Sequence, residues 1–453
     1  MNTSIESGRS ARFASRRSHG DKLWPPPAGG WVAIASVVLL YGAHLAYGAL
    51  YDAALLLAAI SAVFVLAALL QPRMRDDLLR LKGLEWPGAL FALVIGVGVL
   101  TLTPWTPGGA HPVWSYVGAG SASSTIDRSA TIVELVRLMG LACLFLVGCA
   151  CGARDDRARY AVRLTLAFGV AFGLWAFIAS ATGAIYQSQG HRLEARFLNP
   201  NTAGTFFAVL LLLTLPELRR KLKSERKPDL TALLPLAAAA LTFTVCLLAS
   251  ASRGAMLAFL AGAAAYLLVL LATGGLKISR ALLGAFGGIL SLVLVLGLVG
   301  DRLIERAFHT ERDAVVRHEI WAAHWQAFLD SPLFGYGLGT AETVNKTLIN
   351  PSNAEVLWNI KAILNVYIQW LEEAGIVGAA PMFLCIGVLV FITLRGALRR
   401  SRMTGLLAAL LAVDVVFLAH GLTDFALQVP SMAALWAWLL GLQVSLAQGS
   451  SRR

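Results

Sequence analysis

Charge is what this chain has least of. Asp, Glu, Lys and Arg make up 14% of its 453 residues, against roughly 25% in an ordinary soluble domain. Hydrophobic residues make up 57%, and the mean hydropathy is +0.68. That balance excludes a soluble fold and implies a protein that crosses a membrane several times. Acidic residues are the scarcer sign, 26 against 38 basic, which leaves a net charge of +12. Such a surplus would suggest nucleic acid in a soluble chain, but no basic patch with interleaved aromatic residues occurs, so nucleic acid is set aside as a partner. Cysteine is also sparse. Cys143, Cys149, Cys151, Cys246 and Cys385 are odd in number and fall in apolar runs, a pattern that speaks against a disulfide framework or a metal site and for small packing residues.

Apolar runs are what the chain has in plenty. Runs near the length of about 17–25 residues that spans a bilayer occur near 31–49, 53–70, 86–104, 131–151, 164–182, 202–216, 231–251, 254–273, 281–300, 376–394, 404–420 and 432–448. They predict an all-α, polytopic integral membrane protein of about twelve transmembrane helices with one large, partly helical outer loop. The expected organisation is a basic cytoplasmic tail over 1–28, nine spans over 29–300, the loop over 301–375, three spans over 376–448 and a short tail over 449–453. Arg16 and Arg17 are adjacent in the first tail, yet no short apolar segment with a small-residue cleavage site follows, so it reads as a tail and not a signal.

Lysine and arginine set the orientation. With the N-terminal tail inside, the cytoplasmic segments hold most of the basic residues, among them Arg73 to Lys82, Arg154 to Arg163, Arg219 to Lys227 and Arg395 to Arg402. The exceptions carry more information. Arg192, Arg196, Arg253 and Arg317 fall on the other side, where topology gives an arginine no advantage, and several together suggest an anionic ligand. Arg137 has a plainer explanation, since Glu134 lies three residues earlier on one helix face.

The arginines sit in distinct settings. Arg192 and Arg196 are four apart, on one face if their stretch is helical, and Asn201 is a reasonable cap for the helix that follows; the pair could hold a phosphate or simply line a solvated loop. Arg253 stands between two apolar runs in Ser252-Arg253-Gly254-Ala255, where it could snorkel to the interface or, among small neighbours, meet an approaching headgroup.

The longest polar interval runs from Arg317 to Gly378. Arg317, Trp321, Trp325 and Phe328 recur at helical spacing and predict a helix lying flat at the membrane surface. Gly335-Tyr336-Gly337-Leu338-Gly339 offers flexible backbone whose amides could face an anion. Asn365, Gln369 and Glu372 or Glu373 form a polar helix stripe that should face a partner or a water-filled cavity and not lipid.

Taken together, Arg196 to Asn201, Ser252 to Ala255, Arg317-x3-Trp321 leading into 332–339, Asn365 with Gly375 and Gly378, and the stretch 420–430 resemble the O-antigen ligase and polymerase family. The resemblance covers roughly residues 160–440. It implies a bacterial inner-membrane protein with a periplasmic active side. Its substrates would be a polyprenyl-diphosphate-linked glycan and an acceptor glycan hydroxyl, with neither nucleotide nor metal cofactor. Arg253 and Arg317 match arginines that stabilise the leaving diphosphate, a role consistent with fixed cations meeting charge that develops in the transition state. Arg192, Arg196, Asn201, Trp321, Asn365 and Gln369 are the expected substrate contacts.

One departure stands out. Where ligases of the family carry a histidine before the asparagine, this chain has Leu364, which cannot take a proton. The base could be Glu373, Glu372, His318 or His324; the chain could be a polymerase-type relative relying on leaving-group stabilisation; or catalysis could be lost. His420 and Asp424, four apart, could be hydrogen-bonded to each other or functional. A transporter or flippase of lipid-linked sugars is the competing class, although no convincing internal repeat supports it.

Overall fold

The structure, a computed structural model, describes residues 23–50, 52–117, 122–185, 192–224, 230–276 and 310–449. Among these it is all helical, and eleven of the expected spans coincide with helices: α1 (Trp31–Leu45), α2 (Asp52–Leu70), α4 (Glu85–Thr101), α6 (Arg128–Gly152), α7 (Asp155–Ala181), α8 (Pro200–Ser224), α9 (Leu230–Ala249), α10 (Arg253–Ala272), α14 (Val366–Arg399), α15 (Thr404–His420) and α16 (Pro430–Ala447). Seven of them, α2, α6, α7, α8, α10, α14 and α16, are long and apolar enough to cross a membrane; the others are shorter apolar helices. The span expected over 281–300 lies outside the described residues. The short α3 (Pro72–Leu79) and α5 (Val113–Val117) join neighbouring spans.

The bundle has two chemically different ends. At one, arginine meets carboxylate: Arg157 reaches Asp77 at 3.2 Å, Arg163 reaches Glu217 at 2.8 Å and Arg400 reaches Asp155 at 2.8 Å. These arginines are among those assigned to the cytoplasmic side by charge. At the other end the starts of α8, α10, α14 and α16 meet the ends of α1, α9 and α15, with His44 bonded to Ser431 at 2.9 Å and Leu193 to Ala249 at 2.9 Å. In between, α6 and α16 touch backbone to backbone. A methyl group on Gly148 would lie 2.0 Å from the Trp438 carbonyl, and one on Gly441 1.9 Å from that of Phe145. Only glycine permits that approach, and close backbone contact is how helices associate without a hydrophobic drive between them.

Over the second end sits a small outer unit built from α11 (Thr310–Asp330), α12 (Ala341–Leu348) and α13 (Ala354–Leu357). Ile320, Ala341, Leu357 and Ile363 form its own core. The buried face of α11 is Ile320, His324, Ala327 and Phe328, whereas Trp325 is 43% exposed. The helix turns a histidine inward, onto α14, where a carboxylate meets it.

That carboxylate belongs to a broken helix. At Gly375 (φ 60, ψ −176) α14 leaves helical geometry, so residues 366–374 form a separate piece ahead of the long span. Backbone groups freed by the break bond to the glycine-rich loop: Ile376 and Val377 donate to Pro332 and Leu333 at 2.9 and 3.1 Å, while Tyr336 and Gly337 donate to Glu372 and Glu373 at 3.0 and 2.8 Å. The segment 332–337 thus takes the place of the missing helical turn and satisfies groups that would otherwise be orphaned.

Candidate functional site

The site is organised around the turn after α15. Residues 192–199 lead into α8 without forming a helix, with Ala195, Arg196 and Leu198 all at positive φ. Arg192 and Arg196 therefore do not share a face. Arg192 donates to the Ser250 carbonyl at 2.9 Å and to the Asn201 side chain at 2.9 Å. Arg196 turns away, stacking over the Tyr47 ring at 3.9 Å and bonding to the Tyr47 hydroxyl at 2.8 Å. The helix cap also differs from expectation. Asn199 accepts from the amides of Asn201 and Thr202 at 2.7 and 3.2 Å, and Pro200 takes the first helical position. The preference of proline for that position was the signal pointing to Asn199 over Asn201.

Asn201 is released from capping and reaches the turn. Its amide donates to Asp424 at 2.6 Å, while the next turn of α8 brings Thr205 to His420 Nδ1 at 2.6 Å. His420 and Asp424 thus each bind α8, and a series runs from Arg192 through Asn201 to Asp424. Ser252 caps α10 by accepting from Ala255 at 3.3 Å. The following Gly254 lies so close to His420 that a methyl group there would sit 2.8 Å from Nε2. Arg253 consequently starts its helix beside His420. Arg317, half-buried on α11, lies near enough for its charge to be felt at His420, and it forms no hydrogen bond or ion pair among the described residues. Arg192, Asn201, Arg253, His420 and Asp424, from three stretches of chain, are gathered in one region, and Arg317, on a fourth, is near enough for its charge to act there.

The other expected residues hold that region in place. Asn365 caps α14, accepting from Tyr367 and Ile368 at 3.0 Å each, and donates to the Leu422 carbonyl at 3.0 Å. Just before it, Leu364 adopts φ 59, in the left-handed region. Trp321 donates to the Ile363 carbonyl at 3.1 Å. Gln369 donates to Glu373 at 2.9 Å, and Glu373 accepts from the Gly339 amide at 2.8 Å and the Ala341 amide at 3.3 Å. Of the amides expected to face an anion, that of Gly339 meets this carboxyl group, whose pKa burial pushes up to about 8, while those of Tyr336 and Gly337 donate to backbone carbonyls. Glu372 is fully buried against His324, with Oε2 to Nδ1 at 2.5 Å, and the imidazole continues to Asn345 at 3.3 Å. Of the four expected bases, Glu372, Glu373 and His324 are buried in these contacts, and His318 is exposed. Tyr336 has its phenol pushed up by burial, with Asp330 and Glu372 nearby, so it is a neutral hydroxyl.

Sequence reasoning missed Thr205, Ser250 and Asn345. No motif marks them, and each matters through a partner distant in sequence. The Glu134–Arg137 pair is present at 2.6 Å, with Arg137 also donating to the Gln428 carbonyl at 3.1 Å.

A multi-pass, all-helical membrane protein with cationic and amide side chains converging at one end of its bundle is the class these observations define. Residues 238–383 match the family model for O-antigen ligase, Wzy_C, which supports the resemblance seen in the sequence. The matched segment contains Arg253, Arg317, Trp321, Asn365, Gln369 and Glu373; Arg192, Arg196, Asn201, His420 and Asp424 lie outside it. No curated protein gives a significant match.

Proposed function

We propose that this protein transfers or polymerises glycan from a polyprenyl-diphosphate carrier onto an acceptor glycan hydroxyl during cell-surface polysaccharide synthesis. It would do so from the periplasmic side of a bacterial inner membrane that it crosses about twelve times. The observation that carries the reading is that α10 begins at Arg253 with Gly254 packed against His420, while Arg317, 64 positions on, bears on the same imidazole through its charge. In the reaction the acceptor oxygen bonds to the anomeric carbon, the bond from that carbon to phosphate oxygen breaks, and the carrier diphosphate leaves with the electron pair. Two fixed guanidiniums stabilise that leaving group more than the ground state, which is what lowers a barrier. Arg192 and Asn201 orient Asp424 beside them. Glu373, holding the Gly339 and Ala341 amides, fixes the loop, and His420 is the imidazole placed to accept the acceptor proton in a chain where Leu364 cannot.

Reconstitution with a polyprenyl-diphosphate glycan tests this. Arg253→Ala and Arg317→Ala should each lower turnover by about two to three orders of magnitude with protein level unchanged. Product length separates polymerase from ligase. Normal turnover in both variants, or sugar crossing the bilayer with no bond formed, would remove the proposal.

A further inference from the structure

The ion-paired end of the bundle gathers more cation than its carboxylates match. Arg159 and Arg163 on α7 and Arg220 on α8 surround Glu217 at 3.7, 2.8 and 3.3 Å. Among the described residues this is the carboxylate they share, and Asp155, close by in sequence, is paired with Arg400 at 2.8 Å. The next arginine, Arg219, lies against the start of α15: a side chain on Gly405 would begin 3.3 Å from its Nη1. Arg159 reaches the same turn, with Nη2 3.0 Å from the Met403 sulfur. Orientation in the membrane requires positive charge at this end. It does not require four guanidiniums to converge about one carboxylate, where they repel one another.

The start of α15 adds to that charge. This helix of 17 residues follows Met403 with no side-chain cap, so its first amides carry the positive end of the helix dipole. A buried hydroxyl joins them. Tyr266 on α10 is 5% exposed, its oxygen has no hydrogen-bond partner among the described residues, and the charge of Arg219 acts on it. The Arg219 Nε is likewise buried without a partner. All of these groups can donate, and an anion with several oxygens is the acceptor that suits them. Depth selects its source. Arg159 and Arg163 are the fifth and ninth residues of α7, which places them about 6 and 12 Å along the helix from its first residue. The polar region of a bilayer is about 5–8 Å deep on each side, so an oxyanion held between them sits where lipid phosphates lie.

We propose that Arg159, Arg163, Arg219 and Arg220, with the first amides of α15 and the Tyr266 hydroxyl, form a site for the phosphate of an anionic phospholipid in the leaflet at this end of the bundle. The site lies at the opposite end from Arg253 and does not depend on the reaction proposed above. A phosphate bound there bridges α7, α8 and the start of the helix whose other end carries His420.

The test follows, in detergent micelles, lipid retention by native mass spectrometry and thermal stability as phosphatidylglycerol is added, with phosphatidylcholine as the neutral comparison. The wild-type protein should bind phosphatidylglycerol about tenfold or more tightly than phosphatidylcholine. The double variant Arg159→Gln with Arg219→Gln should lose that preference. Arg73→Gln with Arg75→Gln removes the same charge from exposed positions on α3, at the same end, and should keep it. Gly405→Asp places a carboxylate of the chain's own beside Arg219, in the first turn of α15, where an acidic side chain is favoured. It should raise the melting temperature without lipid and abolish the response to phosphatidylglycerol, and it tests the site even if the double arginine variant fails to fold. Equal binding of the two lipids by the wild type, an equal loss in the α3 pair, or an unaltered lipid response in Gly405→Asp would each overturn the proposal. Inorganic phosphate that protects as well as phosphatidylglycerol would make the ligand a soluble anion and overturn the assignment to lipid.

Discussion

Replacing His324 by leucine tests how the outer unit is held. His324 and Glu372 are both 0% exposed, and their 2.5 Å contact joins α11 to the short piece of α14 ahead of Gly375. The other Glu372 oxygen, Oε1, has no hydrogen-bond partner, so His324→Leu leaves the carboxyl group without a side-chain partner. Leucine fills much of the imidazole's volume, and the loss is therefore electrostatic and hydrogen-bonding, not a cavity. Removing one member of a buried pair costs about 3–5 kcal/mol, and the packing of α11 on α14 bears that cost. Amide hydrogen exchange in α11 and α12 should accelerate by about two to three orders of magnitude, with exchange in α6 and α16 unchanged. The double variant His324→Leu with Glu372→Leu should recover much of the protection, because replacing both partners by apolar groups removes the stranded polar one. Wild-type exchange in His324→Leu, or a double variant worse than the single, would refute the reasoning.

Three other outcomes follow from the same geometry. Glu373→Gln should weaken the loop by about 1–3 kcal/mol, since one amide oxygen cannot serve the Gly339, Ala341 and Gln369 donors together; proteolysis at 335–341 would show it, and wild-type resistance would argue against the clamp. Gly337→Ala should prevent the outer unit from docking, because φ is 105 there and the added methyl would lie 1.9 Å from Thr125 Oγ1; normal yield and thermal stability would contradict this. Leu364→His should fold at least as well as the wild type, histidine being more often found than leucine at positive φ, and in reconstitution it should raise turnover by about tenfold or more if an imidazole there assists proton transfer. Unchanged turnover would assign that proton elsewhere.

The bundle was legible because its driving pattern is local. Hydropathy over a window marks a span whatever its neighbours do, and the arginines of the ion-paired end announce themselves by which runs they separate. Glu134 and Arg137 were equally accessible, being neighbours on one helix. The orientation of α11 was not, for His324 turns inward only because Glu372 meets it from 48 residues away, and Glu372 is placed by the break at Gly375. The glycine loop illustrates the same limit. Its amides promised an anion site, and nothing local says that Gly339 would meet the buried Glu373 while Tyr336 and Gly337 met backbone carbonyls. Arg192 and Arg196 look paired as long as their stretch is imagined helical; three residues at positive φ send one to Asn201 and the other to Tyr47. The packing of Gly254 against His420, 166 positions apart, could not be anticipated from either stretch.

Because 332–337 stands in for a turn of α14, the outer unit and the span beneath it are one hydrogen-bonded object. Grafting the outer loop of a relative onto this bundle would leave carbonyls and amides near Gly375 bare unless residues 372–377 travelled with it. Chimeras that exchange this unit should accordingly cut inside α14, below Val377, and not at the first residue of the helix.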